Sequence, residues 1–400
     1  MRRFAGAVAT ATTRLRGLAL RSNASCAREA EAEAAAAVQG AAFAVAPGSS
    51  LRVALPRVAC VEVHTHPSSY EEVCVELPER GAAVSAEGNV VSVTASKSES
   101  ESAAAVTLLR AWVPERFCSV AIDAPGALVK IEGVREADVR VSGPAQALTL
   151  GSVRGGAFSA RAVGDVQVRS LSADVDVHTQ GGAVRLHRMV GNAVSVHTGG
   201  GDVDVDTLYA PRVSIASAGG SITLEHADLR RRGGSSDASA DADCESGSVI
   251  DSSGGGVTIG GLDGSAALRT GGGALSLRAN KGVGAVTVDT ADGDAELLVD
   301  PEALPCHLET HGEGTLALDE ALEVVDGQLR ERAKGTERAR HEEDGPRHEE
   351  DGPRISFRTD GTLKAAPQSW WAAKMGAHWA EPAGGLNRGR GTRGDGAHGM

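Results

Sequence analysis

A group of carboxylate and imidazole side chains within one Val-rich stretch has the residue types that chemistry would require. Its members are Asp174, Asp176, His178, Asp202, Asp204 and Asp206. Aspartates on one outer face of a β-helix can hold Ca²⁺, which prefers oxygen ligands. Their spacing nevertheless places Asp176 and Asp204 on opposite faces of such a fold, and no Lys or Arg stands beside them as a base. We therefore expect solvated outer residues here.

Two smaller sets contain possible metal ligands. His178 and His197 are 19 residues apart and should stack, but a Zn²⁺ site needs further ligands, and the neighbouring Ser195 and Ala216 offer none. The second set alternates along one predicted strand, shares one face and could suit a soft metal: Cys60, Glu62, His64 and His66. The alternative for this second set is an exposed edge strand. We assign no metal ligand in either set.

Known catalytic motifs do not occur in the sequence. Residues 389–394 have the glycine spacing of a dinucleotide-binding loop, but they follow no predicted strand and open no helix. We find no Walker loop, nucleophile elbow or His-Glu-x-x-His motif. We therefore predict no catalytic residue, no cofactor, no metal and no enzyme. One alternative is a carbohydrate- or polymer-active β-helix enzyme, which requires a groove lined by acids and a basic residue from several coils. The other alternative is a metal-binding module.

The elements that would position these side chains are short apolar triplets that return every nine or ten residues. Examples are Val175-Asp-Val177, Val184-Arg-Leu186 and Val194-Ser-Val196. Because side chains alternate along a strand, the first and third residues point to one side and the middle one to the other. One face is therefore core and the other is solvated. Strands this short must stack on neighbours that share their hydrogen bonds.

The predicted fold is all-β: a single elongated β-solenoid with about two short strands in each coil of about 18–19 residues. In this register the triplets at 175, 194 and 213 lie over one another, as do those at 184, 203 and 222. Arg185 then lies over Asp204 and His187 over Asp206, which agrees with the register because opposite charges stack. The alternative is a β-sandwich of short strands, which also has strands every 8–12 residues.

The order of the segments suggests one body with polar insertions. The predicted boundaries are 1–30 for a transit peptide, 31–42 for a linker, 43–130 for an N-terminal β part and 131–327 for the repetitive solenoid with an inserted loop at 228–243. They continue with 328–354 for a disordered charged loop, 355–382 for a closing strand and a Trp-bearing helical cap, and 383–400 for a disordered tail.

Composition limits the function classes. The net charge of −13 argues against a nucleic-acid partner, because such binding depends on clustered Lys and Arg. The 6 cysteines are widely spaced and are predicted to be reduced. No apolar run is long enough to span a membrane. Residues 1–28 are rich in Arg, Ala, Ser and Thr without any acid, which predicts a mitochondrial transit peptide, with a plastid as the alternative.

The chain resembles the putative-adhesin family, a domain of unknown function with eukaryotic members predicted to be mitochondrial. The matching features are rungs such as Val194-Ser-Val-His-Thr-Gly-Gly-Gly-Asp-Val-Asp-Val205 and the approach Trp112-Val-Pro-Glu-Arg-Phe117. The resemblance covers about residues 45–365 and implies a β-solenoid-like fold without catalytic residues. We therefore predict a non-catalytic organellar interaction or scaffolding module, with a protein partner possible and the oligomeric state open.

Overall fold

The structure is a computed structural model that describes residues 39–66, 71–77, 82–95, 106–230, 247–332 and 352–367. Within these ranges the regular structure is almost all β-strand, with one 3-10 turn at Pro301–Ala303. No helix in the described part of the chain is long and apolar enough to cross a membrane.

The strands are numbered in chain order. They are β1 (Gln39–Ala44), β2 (Ser49–Ala54), β3 (Val58–His66), β4 (Glu72–Leu77), β5 (Ala82–Glu87), β6 (Val90–Ala95), β7 (Val106–Pro114), β8 (Cys118–Asp123), β9 (Leu128–Arg135), β10 (Val139–Ala145), β11 (Ala147–Ala162), β12 (Val166–Thr179), β13 (Val184–Val190), β14 (Ala193–Thr198), β15 (Val203–Tyr209), β16 (Arg212–Ala216), β17 (Ile222–Asp228), β18 (Ser248–Asp251), β19 (Val257–Arg269), β20 (Leu275–Ala291), β21 (Ala295–Val299), β22 (Cys306–His311), β23 (Thr315–Leu318), β24 (Leu322–Val325), β25 (Gln328–Glu331), β26 (Arg354–Thr359) and β27 (Thr362–Pro367).

Two parallel sheets run the length of the body. The first sheet stacks β8, β10, the C-terminal half of β11, the C-terminal half of β12, β14, β16 and β18, and continues into the C-terminal halves of β19 and β20. The second sheet stacks β9, the N-terminal halves of β11 and β12, then β13, β15 and β17, and continues through β19 and β20 to β21. Each coil contributes one strand to each sheet, so the predicted β-solenoid is confirmed and the sandwich is excluded.

The predicted register is also confirmed. Val175 pairs with Val194, which pairs with Val213. Val184 likewise pairs with Val203, and that residue with Ile222. The inward residues of these strands are buried, whereas their middle residues face outward. Small branched side chains therefore fill a narrow core, as the 3% aromatic content indicates.

Each regular coil has a third short paired piece that the sequence interpretation did not separate. We call these pieces the corner segments: residues 152–154, 170–172, 188–190, 207–209 and 226–228. A corner segment points only its central residue inward, for example Leu171, Met189 or Leu208. A single apolar residue gives no triplet, so the pattern indicated two strands in each coil where the structure has two strands and a corner segment.

The opposite corner of the coil is closed by a tight turn with a buried hydroxyl. The Thr179 Oγ1 donates to the Gly182 carbonyl over 2.7 Å, and the Thr270 Oγ1 donates to the Gly273 carbonyl over the same distance. The turns approach each other so closely that a Cβ at Gly220 would lie 2.3 Å from the Gly201 carbonyl oxygen. Glycine is therefore required where the turns stack.

At both ends the coils stack in an order that differs from the chain order. Strand β2 lies between β6 and β8, and β3 lies between β7 and β9. At the other end, β26 lies between β20 and β22, and β27 between β21 and β23. Antiparallel pairs complete the ends: β1 with β4, β4 with β7, β5 with β6, and β25 with both β22 and β24.

Several segments predicted from the sequence lie outside the described residues. These are the transit peptide at 1–30, residues 231–243 of the inserted loop, residues 333–351 of the charged loop, the Trp-bearing part of 355–382 after residue 367, and the tail at 383–400. Strand β1 begins inside the segment predicted as a linker, at Gln39. The strand at 354–359 is an inner strand of the first sheet, because β22 covers it.

Candidate binding groove

Asp174 and Asp202 hold successive coils together. The Asp174 Oδ1 accepts backbone N–H groups from Asn192 at 3.0 Å and from Ala193 at 3.2 Å. The Asp202 Oδ1 accepts the amide and the hydroxyl of Ser221, both at 2.8 Å. These hydrogen bonds, the one from the Ser221 hydroxyl first, lower the pKa of Asp202. Both carboxylates therefore fasten one coil to the next.

The other side chains of the Asp/His group form exposed pairs. Asp176 Oδ1 lies 3.0 Å from His178 Nε2, and the His178 ring stacks on His197 with their centroids 5.0 Å apart. His187 Nδ1 lies 2.8 Å from Asp206 Oδ2, as the register predicted. Arg185 and Asp204 are neighbours in the backbone register of the second sheet, as predicted. Asp176 and Asp204 are thus on different sheets, as expected from the sequence, and do not converge.

The Cys60 set lies on an inner strand, so the edge-strand alternative was wrong: β3 is covered by β7 and β9. Glu62 and His64 of this set each contact a side chain of a neighbouring strand. Glu62 accepts the Nε–H of Arg110 at 3.1 Å, and His64 lies 3.0 Å from Glu132. Burial, and next the charge of Glu62, raise the pKa of the Cys60 thiol, which opposes metal binding as thiolate. Among the described residues, no three His, Cys, Asp or Glu side chains group closely enough to hold a metal.

A groove of about 400 Å³ runs across several coils between the corner segments and the strands of the first sheet that follow them. Its floor consists of small residues in equivalent positions of successive coils: Gly155, Ala173, Gly191 and Ala210. Side chains larger than these would collide, because a Cβ at Gly191 would lie 2.3 Å from the Ala173 carbonyl oxygen. The volume lies within the range of ligand-binding pockets.

The walls of the groove carry the polar and aromatic groups. One wall is formed by the last residues of the corner segments, Ser172, Val190, Tyr209 and Asp228, and the other by Asp174, Asn192, Pro211 and Arg230. The Tyr209 ring is half-buried and meets the His226 ring edge-on, with 5.8 Å between centroids. The groove therefore offers a positioned aromatic ring among hydrogen-bonding side chains.

Asp228 and Arg230, at one end of the groove, form a bidentate ion pair. Arg230 Nε donates to Asp228 Oδ1 at 2.9 Å, and its Nη2 donates to Oδ2 at 2.8 Å. Asp228 is only 8% exposed, so this pair is partly shielded from water. These hydrogen bonds and the charge of Asp228 raise the pKa of Arg230, which therefore keeps its proton and cannot act as a base. The pair can orient a ligand.

The sequence analysis found one member of this groove, Asp174, and missed the rest. Asn192, Tyr209, Asp228 and Arg230 lie between the apolar triplets, where the repeat sets no pattern of its own. The available signal was the small residue that follows four of the five corner segments at the coil spacing: Gly155, Ala173, Gly191 and Ala210.

A second depression of about 450 Å³ lies on the flat outer face of the first sheet. Arg269, Asp289 and Arg358 stack along its side in adjacent coils. Its floor consists of outward middle residues such as Thr287, and none of the residues that line it is aromatic apart from the exposed His311. The groove at the corner segments is the better defined of the two because its ring and its ion pair are held in place.

Part of the chain is similar to a known family of domains. Residues 159–313 match the family model described as Toastrack DUF4097. No curated protein matches. A solved putative adhesin from Bacteroides fragilis is 10% identical, with 83% of this chain and 98% of that chain covered and a TM-score of 0.21. A putative cell adhesion protein from Clostridium sporogenes is 6% identical, with 83% and 100% covered and a TM-score of 0.16. The segment similar to Toastrack DUF4097 contains every residue that lines the groove except Gly155 and Gly156.

Proposed function

We propose that the protein is a non-catalytic interaction module that binds an extended ligand or partner in the groove beside the corner segments. The observation that carries this proposal is the groove itself, which crosses successive coils and combines a fixed aromatic ring with hydrogen-bonding side chains. Aromatic and Arg side chains in a concave site are typical of recognition surfaces. Residues 159–313, which are similar to Toastrack DUF4097, contain most of this groove.

A polymer-active enzyme is the second candidate, because acids and a basic residue from several coils do line the groove, as that alternative required. The state of these groups favours binding over cleavage. Asp174 accepts two backbone amides, and Asp228 is paired with a permanently charged Arg230. In both arrangements the carboxylate already accepts hydrogen bonds from groups of the protein itself, whereas a general acid or base must reach the proton that it transfers.

Proximity labelling with a blocked groove tests the proposal. Ser172 is exposed on the groove wall, so Ser172→Trp places a large ring in the groove without entering the core. Ser214 is an exposed middle residue of the first sheet and does not line the groove, which makes Ser214→Trp the matched control. We expect Ser172→Trp to lose at least one stable neighbour that the wild type and Ser214→Trp retain. Identical neighbours for all three proteins would refute binding through the groove.

The enzymatic alternative has its own test. An Asp174→Asn protein keeps an acceptor oxygen for the two backbone amides but loses the charge. If the groove cleaves a polymer, this variant stays folded and loses product formation from a polymer that the wild type degrades. We expect the wild type to release no product from a polysaccharide panel, as measured by reducing-end assay.

We further propose that the module works in mitochondria. The support is the Arg-rich, acid-free composition of residues 1–28 and the resemblance to eukaryotic members predicted to be mitochondrial. Fractionation of cells expressing the full chain, and of cells expressing residues 31–400, tests this. We expect only the full chain to enter mitochondria; recovery of both in the same fraction would contradict the proposal, and recovery in plastids would favour the alternative.

A further inference from the structure

The chemistry of the groove limits what it can bind, and the first limit concerns its backbone. The strands beneath it are inner strands: β13 pairs with both β12 and β15, and β15 with both β13 and β17. Their N–H and C=O groups are used by these parallel neighbours. A peptide therefore cannot bind by adding a strand there, and recognition depends on side chains.

The second limit concerns charge. The charged side chains that line the groove are two carboxylates, Asp174 and Asp228, and one guanidinium, Arg230, which is already paired with Asp228. The whole protein carries a net charge of −13. Among the described residues that line the groove there is no cluster of cations, whereas binding of phosphate or carboxylate chains requires several such groups.

The third limit concerns hydrogen bonding. Asn192 is exposed and offers both a donor and an acceptor, and Asp174 has a second carboxylate oxygen besides the Oδ1 that accepts two amides. Arg230 adds only donors. A ligand that matches this mixture must itself donate and accept at closely spaced points, which is the property of a chain of hydroxyl groups.

The aromatic ring adds an apolar surface to these polar groups. Tyr209 is fixed against His226 and lies in the wall between Val190 and Asp228 in the stack of corner segments. The C–H face of a pyranose ring can pack on such a ring while its hydroxyls reach the polar side chains. One coil rises about 4.8 Å, which is close to the length of one sugar unit in an extended chain.

We propose that the groove binds an uncharged oligosaccharide chain, free or attached to a partner, with one sugar on Tyr209 and the hydroxyls of the neighbouring sugars on Asp174, Asn192 and Arg230. The chain lies along the solenoid axis, so successive sugars meet successive coils. This inference rests on the proposed function, because it names the ligand class of the same groove.

Calorimetric titration of the full chain tests the ligand class. The probes are cellohexaose, xylohexaose, mannohexaose and chitohexaose, with hexagalacturonate as the anionic comparison. We expect at least one neutral hexasaccharide to bind with a dissociation constant below about 1 mM. Tyr209→Ala and Ser172→Trp should each weaken this binding at least about tenfold, and Ser214→Trp should leave it unchanged. Tyr209→Phe, which keeps the ring, should retain it within about threefold.

Failure of this inference can be separated from failure of the proposed function. If proximity labelling depends on the groove but no neutral hexasaccharide binds, or only hexagalacturonate binds, the proposed ligand class is wrong and the proposed interaction module stands. Binding that persists in Ser172→Trp also overturns the inference, because the sugar then lies elsewhere. If Tyr209→Ala does not fold, Ser172→Trp decides the question. Treating the cell lysate with glycosidases separates the two sources of the oligosaccharide. Neighbours that are lost after the treatment carry the oligosaccharide themselves. Neighbours that are kept, while the free hexasaccharide still binds the protein, do not carry it.

Discussion

The middle of the solenoid and its two ends are built from the same short apolar strands but stack them differently. From β10 to β21 each strand lies on one that belongs to the preceding coil in the chain. At the ends, a strand is covered by one that is not its neighbour in the chain order: β6 covers β2, and β22 covers β26.

This difference shows what each region contributes. In the middle, the tight glycine turns and the aspartates that bind the next coil, such as Asp202, repeat from coil to coil. A side chain that is too large in one turn therefore displaces the turns stacked on it. Antiparallel hairpins, β5–β6 at one end and β24–β25 at the other, cover the last coils. At the C-terminal end the glycine turns still stack closely, since a Cβ at Gly314 would lie 2.4 Å from the Gly361 carbonyl oxygen. Covering sheet ends in this way limits edge-to-edge association. The middle therefore carries the groove, the C-terminal end keeps closely stacked turns, and the N-terminal hairpin turn at Gly88 has nothing within 4 Å of an added Cβ.

The largest expected effect comes from enlarging a glycine of the middle. In Gly220→Ala the new Cβ would lie 2.3 Å from the Gly201 carbonyl oxygen, so the stacked turns must move apart. We expect a loss of at least about 3 kcal/mol in the free energy of unfolding, measured by urea denaturation. The matched change at an end is Gly88→Ala, where φ is +57° but nothing lies within 4 Å of the new Cβ. It should cost only about 1 kcal/mol, and equal losses would remove the distinction between the regions.

The next effect concerns the buried hydroxyl of the middle turns. The Ser217 side chain is fully buried and donates to the Gly220 carbonyl. Ser217→Ala leaves that carbonyl without its hydroxyl partner, which should cost about 1–3 kcal/mol. Thr94 in the end strand β6 is exposed, and Thr94→Ala should change stability by less than about 0.5 kcal/mol. Thermal unfolding of the two variants at one pH measures both, and a larger loss at Thr94 would contradict this prediction.

Much of the middle could be predicted from the sequence, because each stacking partner lies one coil away in the chain. The triplets at 175, 194 and 213 predicted both the register and the contact of His178 with His197. The ends could not be predicted in the same way. Strand β2 pairs with residues as far away as 118–123, and any Val-rich triplet would satisfy its core positions equally well. Hairpins and long-range insertions leave no periodic signal.

The groove was also beyond sequence reasoning, for a different physical reason. Its ring and its ion pair, Tyr209 and Asp228–Arg230, are single features rather than repeats. Asp174 was noticed as an acid, but its bonds to the amides of Asn192 and Ala193 depend on the exact approach of two coils. Periodicity indicates which side of a strand faces inward, and it carries no information on what a corner places together.

A smaller effect concerns the pH dependence of the hydrogen bonds that Asp202 accepts from the next coil. The Ser221 hydrogen bonds lower the pKa of Asp202 below its ordinary value of 3.8. Its contribution to stability is therefore present above about pH 4 and is lost as the pH falls through the lower folded-state pKa. Asp202→Ala should be less stable than the wild type by about 1 kcal/mol at pH 7, with the gap closing below pH 4. At the C-terminal end Asp360 accepts the Glu313 amide at 3.1 Å, and Asp360→Ala should also lose about 1 kcal/mol at pH 7. A gap that widens in acid would show that the sign is wrong.

The smallest expected effect comes from the exposed pair on the middle coils. His187 and Asp206 are 70% and 43% exposed, so His187→Ala should change the free energy of unfolding by less than about 0.5 kcal/mol. The corresponding pair near the N-terminal end, Arg110 with Glu62, is less exposed at 39% and 21%, and Arg110→Ala should cost more. Urea denaturation at low and high salt checks both. A costlier His187→Ala would mean that side-chain pairs, rather than the turns, stabilise the middle.

The unfolding midpoint of Asp174→Ala in urea tests most directly whether the outer aspartates serve the structure or perform chemistry. Asp174 lies in the groove and also accepts the amides of Asn192 and Ala193, so it is the residue for which the two roles differ most. We predict a loss of about 1–2 kcal/mol, because two backbone N–H groups lose their acceptor. Unchanged stability, together with the loss of an activity that the wild type shows on a polymer, would contradict the structural role.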